Sequence, residues 1–349
     1  MNNFVFILTY WQGGGTERVF ENVAKALYAN SYNDISMYVI NGLDKKKYEV
    51  LPFVKIIDSI KNLKNLIKNN TFVINFSSDW KSGFLSQLVS KKYISWIHTN
   101  PYTMKTAKTA LLNFYLLRKS YKIICICNEQ KGILQNDFKF KNDICVIYNS
   151  IDFKHIVELS KRPLDHVNYR YFLMAARIDF RSKDFFTVID AYHLLPLAIK
   201  NKYKLVFVGD GPNRSNVEQY IFEKDLEDNV ILVGFDKNPY RWMKNAICNI
   251  VSSKTEGFSL VPLEAMSLEC PVIITDYHTG AREISDAGKN AALVDIGDSR
   301  AMSEFMLRII TDTDFCMRLI QNGSRWVHAF SQDKFEKKIN NFFAGINSD

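Results

Sequence analysis

Leu205-Val206-Phe207-Val208-Gly209-Asp210-Gly211-Pro212 is an apolar run that closes on a glycine turn. A short, continuous run of branched and aromatic residues bounded by Gly and Pro reads as a fully buried strand. The same pattern recurs along the second half of the chain. Tyr171 to Ala176 ends in Arg177, Val230 to Val233 ends in Gly234, Ile250-Val251 leads into Ser252-Ser253, and Pro271 to Ile274 leads into Thr275-Asp276. Near the N-terminus, Phe4 to Leu8 runs through Thr9-Tyr10-Trp11-Gln12 into Gly13-Gly14-Gly15, with Val19, Val23 and Leu27 following at helical spacing. Strands that are apolar throughout and deliver polar residues at their carboxyl ends predict open parallel sheets, which bind ligands at those ends. The glycine turn at 13–15 lacks the G-x-G-x-x-G order of a dinucleotide site, so alone it is a weak signal.

Glu256-Gly257-Phe258-Ser259-Leu260-Val261-Pro262-Leu263-Glu264 places two carboxylates across a loop-to-helix junction. Ser259 suits an N-cap and Pro262 suits the first turn, which would put Glu264 in the second turn and let both carboxylates face one pocket. Carboxylates accept hydroxyl hydrogens, and free N–H groups at a helix start favour an anion, so a ribose and a hexose joined by a diphosphate fit the set. A surface helix with a chance Glu pair is the competing reading of this stretch alone. Arg177 and Lys183, at the end of the Tyr171 strand, add a bidentate donor and a point charge for a diphosphate. In Ile94 to Asn100, His98 follows another strand-like run.

These segments together resemble the retaining GT-B glycosyltransferases of the Glu-x7-Glu family, glycosyl transferases group 1, and among them the bacterial surface-polysaccharide and lipopolysaccharide assembly enzymes. The GGGTE loop, the His98 segment, V-I-Y-N-S-I-D ending at Asp152, Arg177 with Lys183, V-G-D-G-P, E-G-F-S-L-V-P-L-E and P-V-I-I-T-D occur in the family's order almost end to end. Two positions depart from it. Ser150 stands where Gly is commoner, and Asp184 replaces the Gly that usually follows the lysine.

The resemblance implies an α/β fold of two Rossmann-like doubly wound domains facing each other across a cleft. It divides the chain into an acceptor-binding domain at 1–160, a nucleotide-sugar-binding domain at 161–330 and a terminal helix at 331–349 that crosses back to the first domain. In that tail Phe335, Ile339, Phe342 and Phe343 share one face, for which a dimer contact is the alternative use. The family's catalytic positions fall on His98, Arg177, Lys183 and Glu256, and its donor-binding positions on Gly14, Gly15, Gly209, Gly257, Phe258, Ser259, Leu260 and Glu264. Glu264 would hold the ribose and Glu256 the donor sugar. The implied reaction transfers a sugar, with retention, to a saccharide or lipid-linked saccharide. The donor is expected to be a UDP-hexose or UDP-N-acetylhexosamine, with GDP-mannose second. No cofactor and no metal are expected, since two cations and a helix end neutralise the diphosphate. Asp312-Thr313-Asp314 matches a metal-binding D-x-D but lies at a helix start beyond the other motifs. A nucleotide-sugar epimerase of similar fold and an inactive binding homologue are the alternatives. The first needs acid/base carboxylates not identifiable here; the second would be expected to have lost Arg177, Lys183 or Glu256.

Composition fits a two-domain enzyme. The 349 residues exceed one usual core, and no apolar run approaches the roughly 20 residues of a membrane span. The six cysteines, at 125, 127, 145, 248, 270 and 316, show no C-x-x-C and read as reduced core residues of a cytoplasmic protein. Charge is uneven: residues 1–150 hold 20 Lys and Arg against 10 Asp and Glu, although the whole chain is only +8. Lys105, Lys108, Arg118, Lys119 and Lys122 surround Leu111, Leu112, Phe114, Tyr115, Leu116 and Leu117. Two readings stay open there. Either the apolar side chains pack on the sheet under solvated lysines, or the segment attaches the protein peripherally to an anionic membrane surface at the inner face of the plasma membrane. No nucleic-acid motif accompanies the basic excess.

Overall fold

The computed structural model describes residues 2–11, 15–29, 34–43, 50–68, 70–77, 79–106, 108–165 and 167–346, with 105 and 106 described in the backbone only. It divides into two compact units, Met1–Ser150 with Gln332–Asp349, and Ile151–Ser331.

In the first unit the strands are β1 (Asn3–Leu8), β2 (Asp34–Val39), β3 (Val54–Ile57), β4 (Thr71–Asn75), β5 (Tyr93–Ile97), β6 (Lys122–Cys125) and β7 (Asp143–Val146). They form a parallel sheet in the order β3-β2-β1-β4-β5-β6-β7. The order reverses between β1 and β4, so the loops after these strands part there and leave room for a ligand. β1 is buried from Phe4 to Leu8 because helices cover both faces of a parallel sheet. Val19, Val23 and Leu27 of the helix Gly15–Ala29 supply one such apolar face.

The last helix, Gln332–Ile346, packs on the helix Gly15–Ala29. Phe335, Ile339 and Phe343 recur at helical spacing and are buried, and the Phe343 ring meets the Phe4 ring edge-on at 4.8 Å. Ser150, one of the two departures from the family pattern, secures this end. Its hydroxyl accepts from Asn22 at 3.2 Å and pairs with Gln332 at 2.9 Å, a role glycine has no side chain to fill.

The second unit contains β8 (Arg170–Ala175), β9 (Tyr203–Val208), β10 (Val230–Gly234), β11 (Cys248–Val251), β12 (Val272–Thr275) and β13 (Ala292–Val294). Their order is β10-β9-β8-β11-β12-β13, again all parallel and again reversing beside the first strand of the unit. Phe172, Phe185, Leu205, Phe207, Ile250 and Ile273 lie in one core cluster with Met302 and Met306 of the helix Ser299–Thr311. The helix Phe153–Ser160 packs on helices Tyr240–Asn245 and Val261–Ser267, so the second unit begins at Ile151 and not at 161. Helix pairing decides this boundary.

Gly209 has φ +144, and a Cβ there would lie 1.9 Å from the Ala176 carbonyl oxygen. Only glycine lets the chain after β9 pass so close to the end of β8.

Phe343→Ala is expected to destabilise the first unit by about 3–5 kcal/mol, the usual cost of deleting a buried ring. Urea unfolding followed by tryptophan fluorescence would read this, and a cost below about 1 kcal/mol would show that the final helix does not hold the sheet.

Candidate active site

In the second unit, the loops after β8 and β11 are joined by backbone as well as side chains. Asp184 N donates to Ser252 O at 3.0 Å and Lys254 N to Ser182 O at 2.8 Å. This brings Lys183 onto Glu256, with which it forms an ion pair, and onto the Ser253 hydroxyl at 3.2 Å. The same hydroxyl donates to Glu256 at 3.0 Å. Ser253 is fixed in turn by Thr275 at the end of β12, whose hydroxyl accepts from Ser253 N at 2.8 Å. Thr279 donates its hydroxyl hydrogen to the Glu256 carbonyl. A cation and a carboxylate, with side chains 15% and 21% exposed, thus share a shelf where strand order reverses. Groups this shielded from water interact more strongly with a bound charge than the same groups on an open surface.

Arg177 follows β8 and is exposed. Asp179, two residues on, is held down to about 2, first by its hydrogen bond from Arg181 and then, among smaller effects, by Arg177. Arg181 therefore occupies that carboxylate, and no ion pair of Arg177 occurs among the described residues. Asp184, the second departure from the family pattern, has φ −121, so no glycine is required. It caps the helix Phe185–His193 by accepting from Thr187 N at 3.2 Å.

Two local expectations are corrected. Ser259 is not the N-cap: Leu260 occupies that position, without a side-chain cap bond. Ser259 is instead buried in the loop. The helix is Val261–Ser267, which puts Glu264 in the first turn and not the second, its N–H bonded to Leu260 O at 2.9 Å. Pro262 does fall in the first turn. Glu264 is 4% exposed and accepts from the Tyr240 hydroxyl at 3.2 Å. Tyr240 was not anticipated, since it lies in another helix and belongs to no motif.

Phe258 is buried, with its ring 5.6 Å from that of Phe330. A Cβ on Gly280, where φ is +83, would come within 2.5 Å of the Phe258 ring. Gly280 thus lets the segment at 280–284 close over Phe258. The ring is committed to packing, so the Gly257–Leu260 stretch has its backbone to offer a ligand. Asp312 caps the helix Thr313–Trp326 and pairs with Arg308 at 3.1 Å, which accounts for it structurally. No cluster of three or more His, Cys, Asp or Glu suited to a metal occurs among the described residues.

In the first unit, Gly14 lies outside the described residues. Gly15 opens its helix with nothing within 4 Å of a would-be Cβ, so packing does not demand a glycine there. His98 follows β5 directly, its ring 4.3 Å from Phe76 and stacked 5.8 Å from Trp96. Both ring nitrogens are shielded from solvent although the residue keeps some exposure, and burial pushes the imidazole down to about 3. A pocket of about 290 Å³ is lined by Tyr10, Thr16, Glu17, Phe76, Asp79, His98 and others. A second, of about 370 Å³, shares Tyr10, Asp79 and Thr99 and adds Trp80, Lys81, Thr109 and Asn113. Both lie at the carboxyl ends of β1, β4 and β5, where a parallel sheet takes its ligand.

Residues 157–326 match the family Glycosyl transferases group 1. The chain is 28% identical to N-acetylgalactosamine-N,N'-diacetylbacillosaminyl-diphospho-undecaprenol 4-alpha-N-acetylgalactosaminyltransferase of Campylobacter jejuni over 69% of its length, a stretch that spans 66% of that relative. It is 25% identical to lipopolysaccharide 1,6-galactosyltransferase of Salmonella typhimurium, covering 80% of this chain and 81% of the relative. Among solved structures it is similar to HepE of Anabaena in complex with UDP, with a TM-score of 0.81 and 17% identity over 98% of this chain and all of that one. The fold is that of the GT-B glycosyltransferases, two parallel-sheet Rossmann-like domains.

Burial of the His98 ring makes a pH prediction. Its folded value lies below the ordinary 6.5, so the unfolded chain takes up a proton first as pH falls. Stability is unaffected above about pH 6.5 and declines below it, toward a limiting slope of about 1.4 kcal/mol per pH unit until the folded value is reached. Urea midpoints between pH 7 and 5 should fall less in His98→Asn than in the wild type. Parallel curves would mean that the imidazole is solvated.

Proposed function

We propose that this chain, which carries a glycosyl transferases group 1 domain on the GT-B fold, transfers a glycosyl group from a nucleotide sugar to a hydroxyl of a saccharide or lipid-linked saccharide in surface-polysaccharide biosynthesis. The observation that carries the reading is the Lys183–Glu256–Ser253 shelf at the carboxyl ends of β8 and β11, with Arg177 exposed on the loop after β8. Departure of a nucleoside diphosphate builds negative charge on the leaving oxygen, and prepositioned cations stabilise that charge at little reorganisation cost. Arg177 and Lys183 take this role, assisted by the Gly15 backbone. Glu256 accepts hydroxyls of the donor sugar and Glu264, set by Tyr240, those of the ribose. The backbone of Gly257, Phe258, Ser259 and Leu260 and the turn at Gly209 line the donor. His98 stays neutral through the physiological range, so it hydrogen-bonds near the donor without adding charge.

The anomeric carbon–phosphate oxygen bond breaks as the acceptor oxygen bonds to the same face of that carbon. The acceptor proton passes to the departing diphosphate. Configuration is retained, and no protein nucleophile or general base is assigned. The donor favoured is a UDP-hexose or UDP-N-acetylhexosamine, with GDP-mannose second. The UDP complex of HepE and the acetylhexosaminyl transfer named for the Campylobacter relative support this order. The acceptor domain is the first unit, the donor domain the second. The protein works in the cytoplasm, peripherally on an anionic membrane surface.

Arg177→Ala and Lys183→Ala are each expected to lower turnover by about 100-fold or more, the usual effect of removing one charge-stabilising donor. Release of UDP from a panel of UDP sugars, in variants with unchanged unfolding midpoints, provides the measurement. Near-wild-type release in both would overturn the clamp. Because two cations serve the diphosphate, excess EDTA is expected to leave the rate unchanged. A rate abolished by EDTA and restored by Mg²⁺ or Mn²⁺ would place a metal in the mechanism.

A further inference from the structure

From Trp80 to Asn128 the chain has eight Lys and Arg and no Asp or Glu. Two helices in this stretch, Trp80–Val89 and Ala110–Lys119, pack against each other. They meet at Gly83, where a Cβ would come within 3.3 Å of Leu116 Cβ. Each buries one face and leaves the other apolar in solvent. On the first, Phe84 is 53% and Leu88 54% exposed, and on the second Leu111 is 90% and Tyr115 53% exposed. The spacing of three or four residues sets Lys81, Phe84 and Leu88 in one stripe, with Lys91 and Lys92 just beyond it. Lys108, Leu111, Tyr115 and Lys119 make a second stripe at intervals of three or four. All five lysines are exposed, and no ion pair of theirs occurs among the described residues. Lys122, by contrast, pairs with Asp143.

The geometry points to this two-helix face as the surface that docks on an anionic lipid bilayer. Exposed apolar side chains in adjacent stripes with lysines at their ends match an interface of acyl chains under phosphate headgroups. The absence of carboxylates across 49 residues limits the repulsion that such a surface would meet, Asp79 at the N-cap of the first helix being the flanking one. The pocket lined by Trp80, Lys81, Thr109 and Asn113 opens at the N-terminal ends of the same two helices. Asn113, only 7% exposed, has a side-chain oxygen with no hydrogen-bond partner among the described residues. Docking would thus bring the headgroup of a lipid-linked saccharide beside that pocket, a consequence that rests on the transferase reading.

The test is co-sedimentation with vesicles of phosphatidylglycerol and phosphatidylcholine, alongside pure phosphatidylcholine. The wild type is expected to pellet with the anionic vesicles only and to be released as salt rises, since the Debye length is about 8 Å at physiological ionic strength. Each of Lys81→Gln, Lys91→Gln, Lys108→Gln and Lys119→Gln should weaken binding by about fivefold. Leu111→Gln combined with Phe84→Gln should abolish pelleting with its unfolding midpoint unchanged. No pelleting of the wild type, or full pelleting of these variants, overturns the proposal. A wild-type dimer lost in the apolar variant also overturns it, by making a second copy the occupant. UDP release in detergent-free solution, measured in parallel, reports on the transferase reading separately.

Discussion

The ion pair of Lys183 with Glu256 is the contact on which the second unit's site depends. Both groups sit on loops after strands, and each loop alone would be free to wander. Ser253 bonds to both side chains, and Thr275 at the end of β12 holds Ser253. Three strand ends are thereby fixed relative to one another through Ser253. A shielded ammonium without a counter-charge would be costly, and so would a shielded carboxylate alone. Pairing them keeps each charged and in place. In the proposed reaction a diphosphate would compete with Glu256 for the same ammonium, which would free the carboxylate for sugar hydroxyls.

Close backbone approach sets the rest of that region. Gly209 passes against the Ala176 carbonyl, and a Cβ on Gly211 would meet the Ile178 carbonyl oxygen at 2.3 Å. The turn after β9 is therefore laid directly on the loop that carries Arg177. Gly209 has a packing reason for being glycine that is independent of any ligand. Its conformation, with φ +144, is one that side chains rarely adopt. The stretch Leu205 to Pro212 thus does its structural work by supporting the loop that carries Arg177.

The strands and their parallel arrangement were legible because buried strands announce themselves as continuous apolar runs closed by glycine or polar residues. The terminal helix was legible for the same reason, its apolar spacing giving the face that packs on the helix Gly15–Ala29. The partners of the motif residues were not. Tyr240 and Glu264 lie 24 positions apart, and Lys183 and Glu256 lie 73 apart; no local pattern encodes either pairing. Ser259 looked like a cap because cap preference is a property of residue type. The helix began one residue later, at the position that let Pro262 and Leu263 pack. Such shifts are common where tertiary burial competes with a preference worth about 1 kcal/mol.

The basic segment divides its apolar side chains between the core and the surface. Phe114, Leu116 and Leu117 pack inward, while Leu111, Leu112 and Tyr115 of the same helix face water. A helix buries one face, so an apolar run longer than that face leaves side chains outside. Sequence spacing alone could not assign them, because Leu112 and Leu116 are themselves at helical spacing yet fall on opposite sides of the burial boundary. The stripe of Phe84 and Leu88 lies in a segment whose sequence is only weakly amphipathic. It acquires meaning only when Gly83 lets the two helices meet, since contact makes two modest stripes into adjacent parts of one surface. The first unit's positive charge then has a direction as well as a sign. Its cations frame exposed apolar side chains, an arrangement a freely solvated surface does not need.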